Sequence, residues 1–162
     1  MIIVCGLQGT GKTTVAKRIA AKIGAVSLRT DAIRKELKEV PQYTEREMQE
    51  VYDEMFFRAQ KLLRKNRNVV LDATFTKKRN RDQAKKIAEE AKTDFKIVKV
   101  VCSKDNIIRK RISDRSGDAS EAGVETYERN KRLFEPIVEE HIIIDNSGTL
   151  RDIDEQLEKH LK

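Results

Sequence analysis

The sequence predicts a single α/β domain in three layers, a five-stranded, mainly parallel sheet with helices on both faces. Three observations predict it. Apolar runs of four to seven residues recur along the 162-residue chain, separated by longer amphipathic stretches. Those runs are apolar throughout rather than alternating, as strands covered on both faces require. Strand-like and helix-like segments alternate, and right-handed crossovers turn that alternation into a parallel sheet. Leu, Ile, Val and Phe make up about 26% of the chain, enough for a packed core despite 38% charged residues. Cys5 and Cys102 are too few for a metal cluster and are expected as reduced core thiols. No run approaches about 18 apolar residues, and Met1 leads directly into Ile2-Ile3-Val4, so a soluble cytoplasmic protein without membrane contact is expected.

The first strand spans Met1 to Cys5, and the most specific signal in the chain comes directly after it. Gly6-Leu7-Gln8-Gly9-Thr10-Gly11-Lys12-Thr13 is a complete G-x-x-x-x-G-K-[ST] motif between a strand and a helix, predicted over Gly11 to Ile23. Its glycines let successive backbone N–H groups point at phosphate oxygens, and the helix N-terminus adds its positive dipole end. Gly6, Gln8, Gly9, Thr10, Gly11, Lys12, Thr13 and Thr14 form the expected nucleotide-binding set, with ATP and Mg2+ implied. Lys12 is placed to reach the β- and γ-phosphates, and the Thr13 hydroxyl to ligate Mg2+.

The second strand, Ala25 to Leu28, runs into a helix over Asp31 to Lys38. Asp31 and Arg34 share a face of its first turn, a spacing suited to a base beside an acceptor hydroxyl and a cation beside it; a helix cap and a solvated arginine fit the spacing equally. A long helix over Thr44 to Lys65 follows, with Met48, Val51, Met55, Ala59 and Leu62 as its apolar stripe. The third strand, Asn68 to Leu71, ends at Asp72, where a carboxylate at the C-terminal end of a parallel strand can hold Mg2+. Thr74 and Thr76 are available to cap the next helix, Lys77 to Lys92. Strand Phe95 to Val101, helix Lys104 to Arg115, strand His141 to Ile144 and a last helix over Thr149 to Leu161 complete the alternation. Between the fifth helix and one beginning near Glu125, Ser116 to Val124 reads SGDASEAGV and predicts a mobile turn. Arg111 and Arg115, four residues apart ahead of it, project from one helix face and suit either phosphate neutralisation or solvent.

The net charge of +7 is unevenly placed. Residues 76 to 115 carry fourteen Lys/Arg against six Asp/Glu, so the entire excess lies in that stretch. A polyanion site and a segregated solvated surface both produce such a count.

The residues so assembled resemble the small P-loop kinases that include polynucleotide 5′-hydroxyl kinases, zeta toxins and chloramphenicol phosphotransferases. The resemblance covers nearly the whole chain and rests on GLQGTGKTT, TDAIR, VVLDATF and RISDRSGDASEAGVETYERNKRLFEP. It implies a P-loop fold over residues 1–162 with an arginine-bearing lid at about 111–130. It implies Lys12, Asp31, Arg111 and Arg115 as catalytic residues, with Asp31 the general base and the lid arginines closing on donor phosphates. It implies Arg34, Asp72 and Thr74 on the acceptor side, where the basic stretch adds Arg79, and it implies Asp72 near the metal, which the P-loop motif gives to Thr13 as well.

Three functions are consistent with these features. The first is ATP-dependent phosphorylation of a polynucleotide 5′-hydroxyl, for which Lys77, Lys78, Arg79 and Arg81 offer a phosphate track. The stretch 76–115 offers Phe95 as its sole aromatic, inside a strand, which is poor provision for base stacking. The second is a kinase of a small metabolite, nucleoside or antibiotic-like alcohol. The third is a nucleotide-dependent switch without an acceptor. No obligatory protein partner is evident in the sequence.

Overall fold

The computed structural model describes residues 1–116 and 121–161; for residues 115, 116 and 121–123 only the backbone is described. The chain runs β1 (Ile2–Cys5), α1 (Lys12–Ile23), β2 (Val26–Arg29), α2 (Thr30–Leu37), α3 (Glu45–Arg64), β3 (Val69–Asp72), α4 (Lys78–Glu90), β4 (Lys96–Val101), α5 (Asp105–Ser116), α6 (Glu121–Leu133), β5 (Ile142–Asp145) and α7 (Leu150–His160). All strand pairs are parallel, in the order β2-β3-β1-β4-β5. The P-loop strand is therefore central. In its register Val4 stands opposite Asp72, and Arg29 stands opposite Asp72 from the other side.

The all-apolar strands are explained by burial on both faces. Ile3, Cys5, Val69 and Leu71 pack with Val51, Tyr52, Met55, Phe56 and Ala59 of α3 on one face. Ile2, Val4, Val70, Val98 and Val100 pack with α1 and α7 on the other. A third, smaller cluster of Cys102, Ile108, Ile112 and Tyr127 holds α5 to α6, with Leu7 of the P-loop packed against it.

Local chemistry sets the helix ends. Gly24 terminates α1 in a left-handed conformation (φ 60°), and the Thr44 hydroxyl caps α3 by accepting from Glu47 N. A reciprocal Thr149–Asp152 capping box starts α7. Asp31 does not cap α2: Arg29 holds the cap position without a side-chain bond, and Asp31 lies in the first turn.

Two expectations are corrected. The buried stripe of α3 is Val51, Tyr52, Met55, Phe56, Ala59 and Leu63, one position round from the expected face, so that Met48 is exposed and Leu62 only partly covered. The bulky rings of Tyr52 and Phe56 draw the helix round because they carry more apolar area than Met48 and Leu62. The irregular segment expected over Ser116 to Val124 is also shorter: α5 continues through Ser116 and α6 begins at Glu121, while residues 117–120 lie outside the described residues. Cys5 and Cys102 are free and buried, as expected. Among the described residues no helix is long and apolar enough to cross a membrane.

Candidate active site around the P-loop

The P-loop leaves the C-terminal end of the central strand and turns through three glycines with positive φ. Gly6 has φ 143°, Gly9 77° and Gly11 86°. The space around them explains why glycine is required. A Cβ on Gly6 would overlap the carbonyl of Val100, and one on Gly11 would overlap the amide of Asn146. Gly9 packs against Ile108 and Ile112 of α5, where a Cβ would lie 3.1 Å from both side chains.

At the foot of the loop the Thr13 hydroxyl donates to Asp72 Oδ2 at 2.7 Å. Asp72 is 4% exposed, and Arg29 Nε lies 3.3 Å from the same oxygen. Thr13 and Asp72, distant in sequence, are therefore brought together, as the motif led one to expect. Their hydroxyl and carboxylate oxygens are hard donors of the kind Mg2+ selects, so the residues present fit that ion. Among the described residues no cluster of three or more His, Cys, Asp or Glu offers a rival metal site. Lys12 Nζ donates to Leu7 O at 2.9 Å, which folds the ammonium back over the loop, and the Thr10 hydroxyl donates to the same carbonyl at 2.8 Å.

The outer rim of the loop is gripped from the β4–β5 side. Arg111 donates to the carbonyls of Gly9 (3.3 Å), Thr10 (3.4 Å) and Asn146 (3.0 Å). Asn146, buried just beyond β5, donates to Thr10 O at 2.9 Å. Asn130 of α6 donates to Gln8 Oε1 at 3.2 Å. Arg111, expected to close on donor phosphates, here holds the rim of the loop through backbone carbonyls. Arg115 is placed on the same helix by its backbone, and its side chain lies outside the described residues. Next to Asn146, Asp145 anchors the strand end. Burial pushes its carboxyl up, but hydrogen bonds from Ser147 and Ser103 outweigh burial and hold it below its ordinary value.

On the β2–β3 side stand Asp31, Arg34 and Thr74, which the resemblance led one to expect beside an acceptor. Asp31 is 70% exposed, and its Oδ1 accepts from Arg34 Nη1 at 3.2 Å. Arg34 is almost fully buried, with Nε 3.3 Å from Glu47 Oε1. Its guanidinium therefore serves two carboxylates, one buried and one exposed. Thr74 lies at the turn after β3, where its carbonyl accepts from Gly6 N at 3.2 Å. Thr14, in the first turn of α1, is half-buried, and its N–H bonds back to Gly11 O at 3.0 Å.

The basic run after β3 is corrected at Arg81, which is not part of an open track, while Lys77, partly exposed, and Lys78 and Arg79, exposed, are paired with acids. Arg81 is 1% exposed and donates to the carbonyls of Phe75 (2.7 Å), Glu135 (3.0 Å) and Pro136 (2.9 Å). Lys77 faces Glu135, Lys78 faces Asp82 and Glu139, and Arg79 lies 3.3 Å from Glu45. Arg79 also lines a surface groove of about 410 Å³ with Glu45, Glu50 and Asp53, away from the P-loop. A run of like charges in sequence is here interleaved with acids from α3, α4 and the segment after α6.

Arg29, Glu47, Asn130 and Asn146 carry contacts that sequence reasoning did not assign. Only Asn146, sitting just beyond a strand end, carried a local signal; the others are visible only through their partners.

Residues 1–137 match the AAA domain family. The chain belongs to that family. Curated relatives from Mycobacterium tuberculosis and Mycobacterium bovis, both described as uncharacterized, are 30% identical over 138 residues, covering 77% of this chain. The chain spans 27% of the length of those relatives. Solved structures with this fold include a gluconokinase from Sinorhizobium meliloti, 20% identical, with a TM-score of 0.67 over 98% of this chain and 91% of that one. The Mycobacterium tuberculosis APS kinase CysC, in complex with AMPPNP and APS, is 18% identical with a TM-score of 0.69 over 99% and 94%. Chaetomium thermophilum Kti12, in complex with ADP-AlF3, is 14% identical with a TM-score of 0.69 over 98% and 95%. The fold of this AAA-domain chain is that of the small P-loop kinases.

Proposed function

We propose that the protein is an ATP-dependent phosphotransferase that moves the γ-phosphate of ATP to an acceptor hydroxyl. The observation that carries this reading is the meeting of Thr13 and Asp72 beneath the Lys12 loop, with the exposed Asp31 carboxylate at the exit of a neighbouring strand. The backbone N–H groups of the loop bind the phosphates. Lys12 exchanges the Leu7 carbonyl for phosphate oxygens and stabilises the charge that builds on the transferring group. Asp31 accepts the proton of the acceptor hydroxyl as its oxygen bonds to the γ-phosphorus; the bond to the β-phosphate bridging oxygen breaks, and ADP leaves with that electron pair. Mg2+, held by Thr13 and Asp72, would neutralise negative charge between the β- and γ-phosphates. Arg111 keeps the rim of the loop in place, and Arg115 is the second lid arginine of the scheme.

The resemblance favours a polynucleotide 5′-hydroxyl as acceptor. A small alcohol is the second reading, favoured by the pairing of Lys77, Lys78 and Arg79 with acids and by the burial of Arg81. Labelled ATP presented with a 5′-hydroxyl oligonucleotide, a nucleoside panel and a sugar-alcohol panel separates them. Lys12→Ala is expected to lower kcat by on the order of 10²–10³. Asp31→Asn is expected to slow transfer by roughly 10²-fold or more while ATP still binds. Retention of most of kcat in Lys12→Ala would sink the scheme; slow hydrolysis that no acceptor stimulates would favour a nucleotide switch instead.

A further inference from the structure

We propose that Tyr43 is the platform on which the acceptor stacks, and that the acceptor is a nucleoside whose base lies on this ring while its hydroxyl meets Asp31. The proposal rests on the phosphotransferase reading and adds a substrate class to it.

Tyr43 belongs to the connection between α2 and α3, and its placement is not that of a surface accident. Its backbone has φ 54°, a region L-residues with bulky side chains seldom occupy. The residues on either side are tied down: Gln42 N donates to Glu47 Oε2 at 2.7 Å, and the Thr44 hydroxyl accepts from Glu47 N at 3.2 Å. One buried glutamate thus fixes the chain both before and after the tyrosine. The ring is directed onto Arg34, whose Cζ lies 4.8 Å from its centroid. Tyr43 nevertheless remains 64% exposed, so the surface turned away from Arg34 is open.

Arg34 links this ring to the reaction. Its Nη1 touches Asp31 at 3.2 Å while its Cζ sits over one face of the ring, so a single guanidinium contacts both the exposed carboxylate and the tyrosine. Glu47 holds Arg34 from within. A group stacked on Tyr43 would therefore be located relative to Asp31 through a chain of fixed side chains. Leu37, at the end of α2, and Val40, on the connection, are also exposed apolar residues.

The chemistry of the platform favours a nucleobase over a sugar. A cation over one face draws the π density of the ring toward itself, which weakens the ring as a partner for sugar C–H groups and suits it to a polarisable, electron-rich base. Base stacking on an aromatic side chain is sequence-tolerant, because every base presents a π face. Such a nucleoside can be free or can be the 5′ terminus of a nucleic acid; the shared element is a base next to a hydroxyl.

The test compares oligonucleotides with a 5′-hydroxyl that carry either a normal or an abasic terminal nucleotide, with a free-nucleoside panel in the same labelled-ATP assay. The wild-type protein is expected to favour the base-bearing end in kcat/KM by about ten-fold. In Tyr43→Ala that ratio falls toward one, and in Tyr43→Phe it is retained. A 2-aminopurine at the acceptor end should lose fluorescence on binding to wild type and to Tyr43→Phe, and keep it with Tyr43→Ala. The comparison of kcat/KM between free nucleosides and oligonucleotide ends identifies the source. A tyrosine that only props Arg34 would depress base-bearing and abasic acceptors alike, leaving the ratio unchanged. That result, a wild-type ratio near one, or transfer to a sugar alcohol with none to any nucleoside would overturn the proposal while phosphotransfer itself stands. An absence of transfer to every acceptor, with Lys12→Ala no different from wild type, would overturn both. The abasic comparison needs no variant, so a wild-type ratio near one overturns the proposal even where a substitution impairs folding.

Discussion

Asp72 is a carboxylate withdrawn from water, and such a group is costly unless charge and hydrogen bonds compensate it. Thr13 provides a hydrogen bond and Arg29 a positive charge, both directed at the same oxygen. The neighbouring glycines are constrained in a different way. Gly11 and Gly24 both have positive φ, but a Cβ on Gly24 would meet nothing, whereas one on Gly11 would overlap Asn146. Both Gly→Ala variants incur backbone strain of about 1–3 kcal/mol. Gly11→Ala should cost more than Gly24→Ala in urea unfolding and should weaken ATP binding in calorimetry, which Gly24→Ala leaves alone. Equal losses in the two variants would show that the Asn146 contact carries no weight.

At the scale of elements, α3 ties the core to the turn that carries Thr74. Its Tyr52 hydroxyl accepts from Phe75 N at 2.9 Å, and the two rings meet edge to face at 5.3 Å. Phe75 is fully buried with φ 50°, so the hydroxyl supports a strained residue directly after the site. Burial pushes the Tyr52 phenol up to about 12 from its ordinary 10.0. The native state therefore needs the protonated phenol, and its contribution is complete below pH 10 and lost as pH rises toward 12. Burial likewise pushes Cys5 from 9.0 to about 12, with the same sign. Tyr52→Phe should lower stability at neutral pH by about 1–3 kcal/mol, since the Phe75 N–H loses its partner. It should also flatten the alkaline limb between pH 10 and 12 in thermal melts; a limb as steep as that of wild type would assign the loss elsewhere. The position of this helix was legible from its period and its cap, Thr44, but the identity of its buried face was not. Two overlapping apolar stripes run along it, and only packing against Phe75 selects the one that contains Tyr52.

Over the whole molecule, the strands and the P-loop were legible because each is written in contiguous residues: short apolar runs, a glycine-lysine motif, an aspartate at a strand end. The meeting of Thr13 with Asp72 was legible for the same reason, since both are fixed by the ends of adjacent strands. The fate of the basic run at 77–81 was not, because its partners come from Glu45 and Glu135, distant in sequence. Arg81 is the clearest case: a residue expected to face phosphate is a buried strut joining the turn after β3 to the segment after α6. Arg81→Met should destabilise the protein by roughly 3 kcal/mol or more, because the Phe75, Glu135 and Pro136 carbonyls lose their donor. A change of midpoint under chemical denaturation without change of slope would record this; a neutral outcome would mean that other groups replace the bonds.

The central position of β1 separates two kinds of inheritance. Groups that hold the nucleotide loop, Asn146, Arg111 and Asn130, come from the β4–β5 side, while Arg29, Asp31, Arg34 and Tyr43 come from β2 and the helices after it. Under the proposed function the two flanks can change separately: substitutions within residues 30–43 would alter the acceptor side while Asn146, Arg111 and Asn130 keep their hold on the loop.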